Sequence, residues 1–462
     1  MRNLRMIGMC LVFLAALGLS SCGGSSSGNI GSQNQASVFT VGTDAPLPSV
    51  VSCQVTVTGV TISNGTNNFS VLSSPQVVDF AQLSGLHQLL DLNSVPTGTY
   101  TSATVTLANP VIGYLDTTKN PPAISTINGT LSQSSATVNF PSPFMLNDAD
   151  LVGLRVEFDL RQSLAVDANG QVTGAVNPVF HMQLLAAGDS EVSIDDFVGG
   201  VVGVTGSNSF VMQGPKGRQW TVQTDAQTEL DDPTEPISQF TANTVVEVSG
   251  TLDAVTKNID ADEVEVLSND KFFLGGLFTS IHPPSGPATQ ADLYIRAEVL
   301  DINGIQPGQI QPLNLNGSEH YMIANIENPI TSLLFNNSAL TPGQSVGVGG
   351  TLSTVNGVST LTVHRVVLRR QGQGGTWVPG STQVQSGNAG TFQLNDDWTA
   401  GILLPNPLTV MTFNGTNFIN LSGLSALSGT NPIPIRVVGF ILIDPATSQP
   451  VMVARSVKET AN

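Results

Sequence analysis

The chain has 462 residues, 40% of them apolar and only 11% charged, with 34 acids against 16 bases and a formal net charge of −18. At about 150 residues per domain that length gives three or four domains, and polarity carried by Ser, Thr, Asn, Gln and Gly rather than by charge marks an all-β composition. Such acidity, with no basic cluster in the sequence, argues against nucleic acid and anionic lipid headgroups as partners, because both are held by Lys and Arg that neutralise phosphate.

The chain opens with Arg2 and Arg5 and then the apolar run MIGMCLVFLAALGL. That run has the length of a signal-peptide core and is too short to span a bilayer as a stable helix. Leu19, Ser20, Ser21 and Cys22 follow it. The four resemble the lipobox of bacterial lipoproteins: an aliphatic residue, two small ones, then the cysteine that is acylated. The resemblance implies cleavage of residues 1–21 between Ser21 and Cys22, lipidation of Cys22, and attachment to the cell envelope. Acyl chains stabilise insertion by about 0.8 kcal/mol per buried methylene, so several of them make a permanent anchor. Gly23 after the cysteine lacks the aspartate that holds some lipoproteins in the inner membrane, which favours the outer one. Residues 22–35, lipidated Cys22 followed by GGSSSGNIGSQNQ, read as a flexible tether whose thirteen linker residues reach about 20 Å. Gly24, Ser26 and Gly28 match a hydrolase elbow, but that motif needs a strand before it and a helix after it, and neither is expected here.

Residues 36–193 read as an antiparallel β-sandwich of seven or so strands. Val51, Cys53, Val55 and Val57 alternate with Ser52, Gln54, Thr56 and Thr58, the period of a half-buried strand. Cys53 then faces the core as a small hydrophobe. Residues 79–90, DFAQLSGLHQLL, read as a turn or two of helix, and PTGTY at 96–100 as a turn into a long strand. TDAP at Thr43–Pro46, VTVTGV, the VDF segment and PTGTY resemble the lipoprotein domain known as domain of unknown function 4382. The resemblance implies a prealbumin-like or immunoglobulin-like sandwich and no assigned activity. Asp44 reads as the cap of the turn before Pro46.

Beyond residue 193 one pattern returns three times. VEVSGTL at 246–252, VGVGGTL at 346–352 and IRVVGFI at 435–441 share one register, aliphatic residues at the first, third and seventh places and glycine at the fifth, each followed by a turn and another strand. A glycine at one place in three strands marks a sharp bend or a close backbone approach, as a tightly closed barrel requires. Three small β-barrels are therefore placed at 194–269, 270–372 and 373–462. The first resembles domain of unknown function 5666 and, like it, a five-stranded OB-like barrel; the other two depart from it through longer insertions. OB sites for nucleic acid combine basic grooves with stacking aromatics, and this chain supplies no such groove.

Motifs for chemistry are sparse. His87, His181, His282, His320 and His364 have no zinc spacing. Asn258, Asp260 and Asp262 alternate like a calcium loop, but Glu263 and Asn269 stand where the EF-hand needs glycine and glutamate. Asn147, Asp148 and Asp150 offer a looser oxygen set, read as a solvated strand end. Asp195 with Asp196, and Asp231 with Asp232, are adjacent and so point to opposite faces of a strand. Trp220 sits in the first barrel and Trp377 and Trp398 in the third; the last two are the candidate glycan contacts, since aromatic rings stack on sugars, and core packing explains all three as well. No catalytic residue, metal ligand or cofactor is expected. The expected function is a lipid-anchored envelope protein, non-catalytic, that binds a partner or acts as a spacer. Glycan adhesion is one alternative, and an enzyme site assembled from distant strands is another.

Overall fold

The computed structural model describes residues 35–460, apart from residues 46–49, 84–87, 117, 120–122, 169–170, 186–190, 215–218, 231–235, 243, 254–255, 257, 268–271, 301–304, 306, 324–332, 356–357 and 397–402. About two thirds of these residues are strand and very few are helical. Among them no helix is long and apolar enough to cross a membrane.

The N-terminal domain holds β1 (Gln35–Ala45), β2 (Val50–Ser63), β3 (Asn68–Ser70), β4 (Gln76–Asp79), β5 (Gln88–Pro96), β6 (Gly98–Asp116), β7 (Ala123–Asn128), β8 (Thr130–Leu131), β9 (Ser135–Leu146) and β10 (Leu151–Asp159). A single helical turn, α1 (Leu160–Ser163), leads to β11 (Leu164–Val166), β12 (Val172–Val176) and β13 (Phe180–Leu185). One sheet runs β13-β10-β1-β5; a second runs β3-β2-β6-β7 with β4 on β2 and β9 on β6. A small third sheet runs β11-β12-β8. Val55, Val57, Val60 and Ile62 of β2 meet Val38, Leu154, Val156 and Phe158 of the first sheet in one core. Cys53 lies in that core, fully buried.

Two expectations change here. β1 runs parallel to β10 and β8 parallel to β12, so the domain is not purely antiparallel. Alternation reports which face is buried but not the direction of the neighbouring strand. The segment read as a turn or two of helix is a 3-10 turn over Phe80–Leu83, and the chain is back in a strand by Gln88. β2 is also buried on both faces from Val50 to Val55, because another part of the chain covers its outer side.

Three further sheets follow. The first contains β14 (Glu191–Gly206), β15 (Ser209–Gln213), β16 (Gln219–Gln223), β17 (Glu229–Leu230), β18 (Val245–Asp253) and β19 (Asn258–Val266). The second contains β20 (Phe272–His282), β21 (Gln290–Leu300), β22 (Ile310–Asn314), β23 (His320–Ile323), β24 (Ser345–Val355) and β25 (Val358–Leu368). The third contains β26 (Gln371–Trp377), β27 (Gln383–Ser386), β28 (Ala389–Asp396), β29 (Leu408–Thr412), β30 (Asn417–Ile419), β31 (Pro434–Asp444) and β32 (Gln449–Glu459). The opening strands of these sheets begin at Glu191, Phe272 and Gln371.

Each of these sheets closes on itself in the same way. The opening strand pairs antiparallel with the next long strand and with the glycine-bearing strand. The third strand of the ring then runs parallel to the last one, β16 on β19, β22 on β25 and β29 on β32. The repeated glycines explain how so tight a ring closes. Gly250, Gly350 and Gly439 each sit at a β-bulge against the last strand. There a Cβ would collide with the carbonyl oxygen of Asp260, Thr362 or Val453.

A second glycine recurs on the opening strands. Gly199, Gly276 and Gly375 each lie opposite the residue four positions before the bulge glycine. A Cβ there would press on the carbonyl of Gln213, Tyr294 or Asn395. Two residues further on, Val201, Phe278 and Trp377 fill equivalent places in the three cores.

Candidate functional site

Ser21, Cys22, His87, Asp231, Asp232 and Trp398 lie outside the described residues, as do the side chains of Asp44, Asp195 and Asp196. Trp377 corrects the glycan expectation. It is fully buried in the third barrel, its indole Nε1 donates to Thr382 Oγ1 at 3.0 Å, and that hydroxyl donates to the Leu427 carbonyl at 2.7 Å. No ring face is left for a sugar. Trp220 is buried too and meets Phe197 edge-on.

One of the oxygen-rich candidates is a local cap. The Asp150 carboxylate accepts both the backbone N–H and the side-chain amide of Asn147, at 2.6 and 3.0 Å, and so closes its own turn. Ile259 and Ala261 fill the barrel core, so Asn258, Asp260 and Asp262 alternate to the outside of β19. Among the described residues no group of three or more His, Cys, Asp and Glu is placed to hold a metal ion. His364 Nε2 lies 3.3 Å from Thr351 Oγ1. Ser280 Oγ donates to Asp292 Oδ2 at 2.5 Å and lies 3.1 Å from His282 Nε2. In a catalytic triad the imidazole stands between hydroxyl and carboxylate; here the hydroxyl stands between the other two, so the cluster has no relay geometry.

A groove of about 330 Å³ opens where α1 meets the small sheet, lined by residues that include Leu131, Leu164, Ala175, Val176, Gln162 and Asn177. Asp159 holds α1, which supplies Gln162 and Ser163 to the lining. Its carboxylate caps α1 by accepting from Gln162 N at 2.9 Å and Gln162 Nε2 at 2.6 Å, and it meets His181 Nε2 at 3.1 Å. Ser163 Oγ accepts the Val179 N–H at 2.9 Å. Ser132 Oγ donates to Asn177 Oδ1 at 2.8 Å. The lining carries no titratable side chain, so the groove offers apolar contact and amides rather than acid–base chemistry.

Ionisable groups also converge at seams between the sheets. β21 meets the N-terminal domain through two bulges. Val51 is the extra residue of β2 against β6, and Arg296 is the extra residue of β21 against β20. A bulge leaves its backbone out of the ladder, and here each supplies what the other lacks. Arg296 Nε donates to the Val51 carbonyl at 2.8 Å, Arg296 Nη2 donates to the same oxygen, and Gln54 Nε2 donates to the Arg296 carbonyl. Beside them the Asp79 carboxylate accepts from Cys53 N and Ser52 Oγ, both at 2.8 Å. Burial pushes the Asp79 carboxyl above its ordinary value and Arg296 pulls it back only in part; burial likewise lowers the Arg296 guanidinium. The Tyr294 ring packs with Val51, Ile124 and Leu277, and its hydroxyl rests where Gly113 would carry a Cβ.

A second seam joins the first and second barrels. Arg369 reaches Glu247 through Nη1 and Glu265 through Nη2, the latter at 2.6 Å. Arg365 Nη1 lies 3.3 Å from Glu265 and its Nη2 donates to the Val266 carbonyl at 2.9 Å. Both guanidiniums lie over the Phe273 ring, 5.2 and 5.6 Å from its centroid. None of these seam residues stands out in the sequence. Glu247 and Glu265 occupy the polar positions of alternating strands, which read as solvent-facing until another sheet covers them.

Residues 36–173, less than a third of the chain, match the model of a family described as a domain of unknown function (DUF4382). No curated protein matches the chain.

Proposed function

We propose that this protein is a lipid-anchored component of the bacterial cell envelope, held to the outer membrane by acyl groups on Cys22, and that its folded part is a non-catalytic body for binding or spacing. In this reading the N-terminal domain is a prealbumin-like or immunoglobulin-like sandwich. The three closed sheets at 194–269, 270–372 and 373–462 are OB-like copies of one module, the first related to domain of unknown function 5666. The single observation that carries the anchor is the run Leu19-Ser20-Ser21-Cys22 behind Arg2, Arg5 and an apolar core. The seams support the scaffold half: converging carboxylates and guanidiniums lock sheets together, as a body that must keep one shape would use them.

Metabolic labelling of producing cells with an alkyne fatty acid tests the anchor. Label should appear on the protein and in the membrane fraction, and Cys22→Ala should abolish the label and release the chain. A wild-type chain without label, or one still carrying residues 1–21, would end the reading. The sugar-binding alternative now rests on Trp398 alone, since the Trp377 ring is enclosed.

A further inference from the structure

β22 and β23 are joined by Leu315, Asn316, Gly317, Ser318 and Glu319, a crossing fixed at both ends. Leu315 N donates to the Thr289 carbonyl at 3.0 Å and its side chain fills the second core, while His320 opens the β23 ladder opposite Arg365. Glu319 is buried and its carboxylate turns back on the crossing. Its Oε1 accepts the Asn316 N–H at 2.5 Å, and its Oε2 accepts the Gly317 N–H at 3.0 Å and the Tyr321 hydroxyl at 3.2 Å. Tyr321 meets Phe335 edge-on; burial and the neighbouring Glu319 raise its pKa, so it keeps the proton it donates. On the other side of the crossing Asn316 Oδ1 accepts the Ser318 N–H at 2.8 Å and the Ser318 hydroxyl at 2.5 Å. Asn316, Gly317 and Ser318 are exposed to water.

The bond from Ser318 N–H to Asn316 Oδ1 closes a ring that holds both Asn316 Cγ and the Gly317 nitrogen. Glycine has no Cβ to obstruct attack by that nitrogen. A general base must lie within hydrogen-bond reach of the proton it removes, and donors must face the oxygen on which charge develops. Glu319 and Ser318 stand in those two places. We propose that Asn316-Gly317 is a self-modification site, at which Glu319 is the general base for closure of Asn316 to a succinimide. The Gly317 nitrogen bonds to Asn316 Cγ as Glu319 takes its proton, and the two Ser318 donors hold the charge on Oδ1. The Cγ–Nδ2 bond then breaks, Nδ2 receives the proton from Glu319, and ammonia leaves. Solvent water opens the ring to an aspartyl or isoaspartyl residue, either of which adds a carboxylate to the crossing. The other described Asn-Gly pairs begin at Asn64, Asn128 and Asn414 and are built differently. Gly65 N donates to Ser63 Oγ at 3.2 Å, Gly129 N donates to the Pro110 carbonyl at 2.7 Å, and Asn414 Oδ1 accepts the Asn388 N–H at 3.1 Å. Asn64 Oδ1 does close a ring, on Thr66 N at 3.0 Å, so it is the matched pair without a carboxylate on the attacking nitrogen. The chemistry does not depend on the anchor at Cys22.

The test incubates the full chain at neutral pH and follows each Asn-Gly pair by peptide mass spectrometry, as loss of one ammonia and then gain of one water. Asn316 should convert about a hundredfold faster than Asn64, the low end of what a positioned general base contributes. In concentrated urea, where only the local sequence remains, the four rates should draw together, so that folding accelerates Asn316. Glu319→Gln keeps an oxygen to accept the Asn316 and Gly317 N–H groups but cannot take a proton; it should bring Asn316 down to the rate of Asn64 and leave the other three pairs unchanged. Ser318→Ala removes one of the two donors to Oδ1 and should slow the reaction as well. If Glu319→Gln does not fold, the comparison of native with urea-unfolded wild type decides the matter alone. A native Asn316 no faster than Asn64, no faster in the folded chain than in urea, or unchanged in a folded Glu319→Gln protein, overturns the proposal.

Discussion

Burial raises the Asp79 carboxyl above its ordinary value of 3.8, and Arg296 opposes the shift only in part. A carboxyl raised on folding binds its proton more tightly in the folded state than in the unfolded one. The stability it contributes is therefore fully present below its unfolded value and is lost as the pH rises through its folded value. Urea melts across the acid range should show this as a difference between wild type and Asp79→Asn. The wild type should lose stability relative to the variant as the pH is raised from about 4, the unfolded value, towards neutrality. A difference that does not change with pH would mean that the carboxylate is fully compensated by Arg296. Single residues also show what sequence yields at this scale. Cys53 is core in the alternation and core in the structure, because period two reports burial directly. Trp377 was open to two readings, and only the ring closure around it decides that it is core.

Two glycines of the closed sheets, one at a bulge and one not, give a sharper test at the level of the strand. At Gly439 a Cβ would meet the backbone oxygen of Val453, which cannot swing aside as a side chain would, whereas at Gly200 it would meet open space. Gly439→Ala should therefore cost roughly 1–3 kcal/mol, the cost of forcing extra volume into a packed site. Gly200→Ala should be neutral or stabilise by about 0.4–1 kcal/mol, because it narrows the unfolded ensemble. Chemical denaturation of the two variants checks the pair, and equal effects would show that the bulge does not demand glycine. The bulge glycine was legible in the sequence because its aliphatic neighbours repeat in register. The equivalence of Gly199, Gly276 and Gly375 was not, because flanking residues differ and only the ladder register aligns them. Parallel closure of β16 on β19, and of β1 on β10, was equally hidden: the strand period is the same whichever way the partner runs.

Across the whole described body the modules share cores rather than hanging as beads. Phe39, Leu89 and Leu92 of the N-terminal domain join the core of the first closed sheet. Phe440, Leu442, Val451 and Val453 of the third barrel join that of the second. Sequence places strands within modules but not modules against one another, since a covered outer face uses the same polar positions as a wet one. Hence Glu247, Glu265, Arg365 and Arg369 read as surface charge. Their burial makes them the place to ask whether the body melts as one. Removing Arg369 takes a guanidinium away from Glu247 and Glu265, which face each other across the β18–β19 ladder, and breaking a buried pair from one side costs about 3–5 kcal/mol. Because that cost falls on a seam rather than within a core, Arg369→Ala should free the first barrel before it unfolds anything else. Calorimetry should show one cooperative transition for the wild type and a separate early transition for the variant. Hydrogen exchange should rise first in β18 and β19. A single transition merely shifted downward would mean that the shared core of Phe39, Leu89 and Leu92 holds the first barrel in place without the ion network.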